Sequence, residues 1–184
     1  MSIAEALEKW HDFYLLLGTG AAALVALLFV AVSLGAGFLT EERAEATRTF
    51  FSPIVVHFGA AFFLSCIALV PGHRAEFFAV LIGAAGLVGL CVSAYTTVKF
   101  FVRYRTPYLS DHLAYVAMPA IAYLGLLVAA ALAYAGRDGA LDVLAGALLV
   151  LLLVNIRNAW DLMLSMVRRH AEAANKSPDA PPTA

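Results

Sequence analysis

The sequence predicts an all-α fold: a polytopic bundle of five membrane-spanning helices with its N-terminus outside and its C-terminus in the cytoplasm. Three observations carry that prediction. Of the 184 residues 62% are hydrophobic and only 14% charged, with a mean hydropathy of +0.85, whereas apolar residues make up roughly half of a soluble globular domain. Five apolar stretches reach the roughly 20 residues a helix needs to cross the hydrocarbon core. Lys and Arg are divided unequally between alternate connections, which is the sequence mark of a chain threaded through a bilayer.

Residues 1–12 read as an amphipathic segment at the outer interface. Ser2 with Glu5 fits a capping box, and Trp10 stands where an interfacial aromatic belongs. The first span, 13–39, is too long for a signal-peptide core and follows Glu5, Glu8 and Asp12 instead of a basic segment, so it is expected to remain as a helix. The second, 52–70, opens on Ser52-Pro53, an N-cap with a preset first turn, and stops at Pro71-Gly72. The third covers 77–101 and the fourth 112–135, with Pro119 expected as a kink about a turn and a half inside it. Gly136 and Gly139 mark a tight polar turn before the fifth span, 141–167. The tail 168–184 is expected to be cytoplasmic, with a disordered end rich in Pro and small residues.

The connections set the orientation. One side carries Lys9, Arg74 and Arg137; the other carries Arg43, Arg48, Lys99, Arg103, Arg105, Arg168, Arg169 and Lys176, and the richer side is cytoplasmic. With almost every residue in a span or a short connection, no room remains for a soluble domain of even about 50 residues. A net charge of -1 and a pI near 6.5 exclude a basic nucleic-acid surface. The partners implied are the lipid bilayer, further copies of the chain and, in one reading, another membrane protein.

Helices in lipid are held together by close approach of small residues and by interhelical hydrogen bonds. Ala85, Gly89 and Ser93, with Gly86 beside them, form one such face on the third helix. Gly18, Ala22 and Ala26 form another on the first, and Ala122, Gly125 and Ala129 a third on the fourth. Cys66 and Cys91 differ in expected depth by roughly 15 Å at 1.5 Å per residue, too far for a disulfide, and read as reduced core thiols.

The place to seek function is the run Asn155-Ile156-Arg157-Asn158-Ala159-Trp160-Asp161, which breaks the most lipid-like helix with two amides and two opposite charges. A charge in hydrocarbon costs roughly 3 kcal/mol on insertion scales and so is normally paired or turned to an interior. The run is therefore expected to mark an interior site. Counted from Asp142, Asn155 lies about 20 Å and Asp161 about 29 Å along the helix. Asn155, Asn158 and Leu162 share a face, while Arg157 and Asp161 stand at i and i+4 and can pair. Arg157 would keep donors for an anion; alternatively it snorkels to headgroups while Asn155 bonds a neighbouring helix.

His57, Thr97, Lys99 and His112 fall at the same cytoplasmic level, with Thr96 and Asp111 next to them. His57 can exchange a proton near neutral pH. His57 and His112 together could serve as axial ligands of a haem, the one cofactor weighed; no metal site is indicated. HExxH, GxSxG, a phosphate-binding glycine loop and a cysteine cluster are all missing, which points away from an enzyme.

The segments Gly18 to Leu34 (GTGAAALVALLFVAVSL), Val56 to Pro71 with His57, and Asn155 to Leu162 (NIRNAWDL) resemble a family of small bacterial multi-pass, five-helix inner-membrane proteins without an established activity. The resemblance implies a bacterial inner-membrane location and assigns no chemistry. The expected function is a non-enzymatic, homo-oligomeric membrane protein whose cytoplasm-facing polar cluster lines an ion or proton pathway. The alternatives are an accessory or scaffold subunit of a larger membrane complex and, third, a haem-binding membrane protein.

Overall fold

The structure, a computed structural model, describes residues 3–35, 41–72, 74–103 and 116–175. Among them the chain forms helices and turns and no strand. The helices are α1 (Ile3–Lys9), α2 (His11–Gly35), α3 (Glu41–Leu69), α4 (Ala75–Arg103), α5 (Met118–Tyr134) and α6 (Ala140–Asn175). Three stretches are long and apolar enough to cross a membrane: His11–Ala31, Ala75–Val98 and Ala140–Ser165, of 21, 24 and 26 residues. The apolar parts of α3 and α5, Pro53–Leu69 and Met118–Tyr134, are shorter.

Helix ends depart from the sequence expectation in two places. α3 begins at Glu41, so 41–51 is helix where a connection is expected, and Pro53 lies inside it. Glu41, Glu42, Arg43, Ala44, Glu45 and Ala46 are strong helix formers, and a run of them absorbs the about 3 kcal/mol that one internal proline costs. α6 continues past the span to Asn175 for the same reason, through Arg168, Arg169, Ala171 and Glu172. The fourth helix is described as α5 from Met118, after a π-helical turn at 116–117, with Pro119 in the first turn of α5; the residues that would show the expected kink lie outside the described ones. The expected opening of that helix at 112 and the Ser2 cap lie outside the described residues.

The turn between α5 and α6 is built as its glycines require. Gly136 has φ 62°, a left-handed conformation that costs a residue without Cβ nothing. There the Arg137 N–H donates to the Leu132 carbonyl (2.9 Å) and the Gly136 N–H to that of Ala133 (3.1 Å). This pair of bonds closes the helix end in a Schellman motif. The two helices consequently run antiparallel and side by side. α5 packs between α4 and α6, and α3 packs against α2, α4 and α6. The short α1 buries Leu7, while Ile3, Ala6 and Trp10 pack against the same core.

Small residues permit the close approaches. A Cβ added at Gly18 would sit 2.9 Å from Cβ of Ser65, and one at Gly125 would sit 3.0 Å from Cβ of Ala147. Gly86 lies against Leu127, and Gly89 lies so close to the ring of Tyr123 that no side chain fits between. Ala85 is half-buried beside them and Ser93 fully buried. On α2 the inward face runs through Tyr14, Leu17 and Ala21; Ala22 and Ala26, expected with Gly18, face outward. Cys66 and Cys91 also face outward, a correction to their expected place in the core, and as small thiols they sit there as weak hydrophobes.

We expect Gly18→Val to destabilise the folded protein by about 1–3 kcal/mol, because the added methyls force α2 from α3. Gly20→Ala, whose Cβ meets nothing within 4 Å, should leave stability unchanged. Thermal unfolding in detergent micelles measures both.

Candidate functional site

α3 turns Ile54, His57, Phe58, Ala61, Leu64, Ser65 and Ala68 inward, a helical spacing that buries one stripe. On α6 the inward stripe runs Leu144, Leu148, Leu151, Asn155, Asn158 and Leu162. Both stripes carry polar residues among apolar ones, and these divide the core. One apolar cluster gathers Tyr14, Ala61, Leu64, Tyr123, Leu148 and Leu151. A second holds Leu28, Ile54, Phe58 and Leu162.

Contacts between helices fix the level of this polar layer. The Tyr14 hydroxyl donates to the Leu141 carbonyl at 3.3 Å, Gly18 faces Ser65, Gly89 faces Tyr123 and Gly125 faces Ala147. Counted from Leu141 through those contacts at 1.5 Å per residue, His57 and Ser93 lie about 18 Å and Asn155 about 21 Å from the turn end of the bundle. Asn158 follows at about 25 Å. Four helices thus supply polar side chains to one slab of the bundle.

At the centre of the layer His57 Nδ1 and the Tyr123 hydroxyl are hydrogen-bonded at 2.6 Å, with both residues buried. This bond joins α3 to α5, two helices that pack mainly against other neighbours. Tyr123 can cross that distance because its ring occupies the space that a side chain at Gly89 of α4 would fill. Asn155 is 0% exposed; its Nδ2 donates to the Leu151 carbonyl at 2.6 Å, and its Oδ1 has no hydrogen-bond partner among the described residues. A buried acceptor left unpaired costs about 1–3 kcal/mol.

The remaining candidates are placed as follows. Asn158 is buried on the same face as Asn155. Arg157 Nη2 and Asp161 Oδ2 are 3.5 Å apart, but their side chains are 43% and 41% exposed, and Trp160 beside them is 65% exposed. The expectation that the whole Asn155 to Asp161 run marks an interior is corrected: helical periodicity sends the amides inward and the ion pair with Trp160 outward. The Thr97 hydroxyl donates to the Ser93 carbonyl at 2.8 Å and Thr96 to that of Val92 at 2.9 Å, so both are spent on their own helix. The side chain of Lys99 and all of His112 lie outside the described residues. The paired-histidine haem reading therefore has one described member, whose Nδ1 is taken up by Tyr123. Among the described residues no three His, Cys, Asp or Glu side chains come together to hold a metal ion.

Tyr123 is the site residue that sequence reading missed. The signal was present: a tyrosine hydroxyl in an apolar helix needs a buried partner, and the glycines of α4 left room for a ring. No protein-family model, curated protein or solved structure matches the chain.

Tyr123→Phe keeps the ring over Gly89 but leaves His57 Nδ1 unpaired, and we expect it to cost about 1–3 kcal/mol. Arg157→Ala removes a half-exposed i,i+4 pair and should cost about 0.5 kcal/mol or less. Denaturant unfolding in mixed micelles separates the two; equal losses would contradict the assigned burial.

Proposed function

We propose that the chain is a non-enzymatic integral membrane protein of five spans whose buried polar layer forms part of an ion or proton pathway. How the shorter helices pack supports five spans over three. α5 lies between α4 and α6 and α3 between α2 and α6, and crossing together with these long neighbours keeps the inward faces of all of them away from lipid. Seventeen apolar residues in α5 extend about 26 Å at 1.5 Å per residue, a small mismatch with a hydrocarbon core of about 30 Å that bilayers accommodate. The positive-inside rule sets the Lys9, Arg74 and Arg137 side outside. The polar layer then lies in the cytoplasmic half of the membrane. The resemblance in sequence supports a bacterial inner membrane.

The observation that carries the pathway reading is the unpaired Oδ1 of Asn155, fully buried and level with His57 and Ser93. In lipid such an atom is stable only where water or a passing solute reaches it. Five helices of this size enclose a narrow space, and a homo-oligomer gives the layer more room.

A second reading, an accessory subunit of a larger membrane complex, is favoured by one separate feature: the Arg157 and Asp161 pair faces outward from the bundle beside Trp160, where a neighbouring protein's helix can meet it. In that case Arg157→Ala lowers recovery of a stoichiometric partner captured from gently solubilised membranes and alters no flux.

Purified protein in liposomes tests the first reading. We expect flux of at least one ion among H+, Na+, K+ and Cl-, reduced about tenfold by Asn155→Leu, the equivalent of one lost hydrogen bond. No flux of any of these by protein shown to be folded and inserted overturns the pathway and leaves the accessory subunit.

A further inference from the structure

The polar layer is rich in hydrogen-bonding groups and poor in charge. The buried polar side chains described at this level are His57, Ser93, Asn155 and Asn158, to which the hydroxyl of Tyr123 is added; no described Asp, Glu, Lys or Arg is buried with them. An ion that sheds its water here meets no opposite charge, and the desolvation cost of an ion in a protein interior is several kcal/mol even after relaxation. The Asn155 carbonyl oxygen, without a hydrogen-bond partner among the described residues, does not replace a hydration shell. A proton escapes this difficulty, since a neutral base carries it as part of a covalent bond.

We propose that the species handled by the layer is the proton, that His57 carries it, and that the Asn155 carbonyl oxygen holds the water that exchanges it with His57. The proposal rests on the pathway reading and names its ion. Uptake starts from the tautomer whose Nδ1–H donates to Tyr123: it breaks one O–H bond of a hydronium and makes one N–H bond at Nε2 of His57, the nitrogen that does not bond Tyr123. Release reverses this, returning the proton to water, and no electrons are transferred. Tyr123 suits the role because a hydroxyl both donates and accepts. It donates to a bare Nδ1 and accepts from a protonated one, so its 2.6 Å bond to the ring survives every protonation state. A carboxylate or an ammonium at that position would favour one state.

Nothing else described competes for the charge. From α5 the group facing His57 is Tyr123; from α4 the polar contribution is Ser93; from α6 it is Asn155 and Asn158, both uncharged, with Arg157 and Asp161 turned outward. α2 offers apolar side chains at that level, Leu24, Val25 and Leu28, which pack in the cluster of Ile54 and Phe58. Gly89 is a positioning residue, because it alone lets the Tyr123 ring lie across α4.

The test uses the full chain in liposomes with an enclosed pH-sensitive dye and an imposed potential. Proton flux is expected, unchanged when Na+ is replaced by K+ or choline. His57→Asn puts an amide near the place of Nδ1, so the bond to Tyr123 persists while the proton carrier is gone. Flux should then fall by about a hundredfold, the low end of what a positioned proton-transferring side chain contributes. Flux of Na+ or K+ without protons overturns the proton assignment and leaves the pathway reading standing. Proton flux undiminished in a folded His57→Asn protein overturns His57 as carrier. The absence of all flux overturns the pathway reading itself. Should His57→Asn fail to fold, Tyr123→Phe decides: it keeps the imidazole and removes its partner, so the pH midpoint of the flux must shift, and an unmoved midpoint refutes the pair.

Discussion

A polar atom buried between packed apolar helices has no bulk water to fall back on, so every hydrogen-bonding group there must find a partner in the protein or bring water in with it. The bond between His57 and Tyr123 answers this constraint for two of the largest polar side chains in the core. Its geometry reaches outward through the bundle. Tyr123 extends to His57 only because Gly89 leaves the surface of α4 bare, and Gly89 is held against α5 by the neighbouring contacts of Gly86 with Leu127 and Gly83 with Ala130. Small residues on one helix thus set the position of a hydroxyl on a second and of an imidazole on a third.

The same constraint gives Asn155 its meaning. The hydroxyls of Ser33, Ser65, Thr96, Thr97 and Ser165 fold back on their own helices, Ser65 on the Ala61 carbonyl at 2.8 Å, and so are satisfied locally. Asn155 does this with its Nδ2 but has a carbonyl oxygen left over. An apolar residue would pack there without that deficit, so the amide costs stability at a site where packing does not call for it. Retained polar groups of this kind in membrane helices are the ones to which function is assigned first.

Much of the architecture was legible because long apolar helices and tight glycine turns leave simple marks in a sequence. Apolar length alone marks His11–Ala31, Ala75–Val98 and Ala140–Ser165 as long apolar helices, and Gly136 and Gly139 announce their turn because only a residue without Cβ takes φ of 62° and 85° without strain. Asn155 and Asn158 were legible as a shared face from the helical repeat. The outward turn of Arg157 was harder to read, since a charge at that depth suggests an interior until one sees that the long side chain stands near the end of the span and already has Asp161. Pro53 misled because proline ends helices in water more readily than it ends a helix of strong formers. Tyr123 was lost because its importance lies in a partner 66 residues away in sequence, which no local pattern encodes.

Water at Asn155 is the point on which the account turns, and accessibility of that position to the aqueous phase measures it. The protein with Cys66→Ala, Cys91→Ala and Asn155→Cys, reconstituted in liposomes, is exposed to a charged thiol reagent that does not cross lipid. The account predicts labelling of the folded protein from the cytoplasmic face. A thiol that stays unlabelled from both faces, yet reacts once the protein is unfolded, would show the polar layer to be dry and would contradict it.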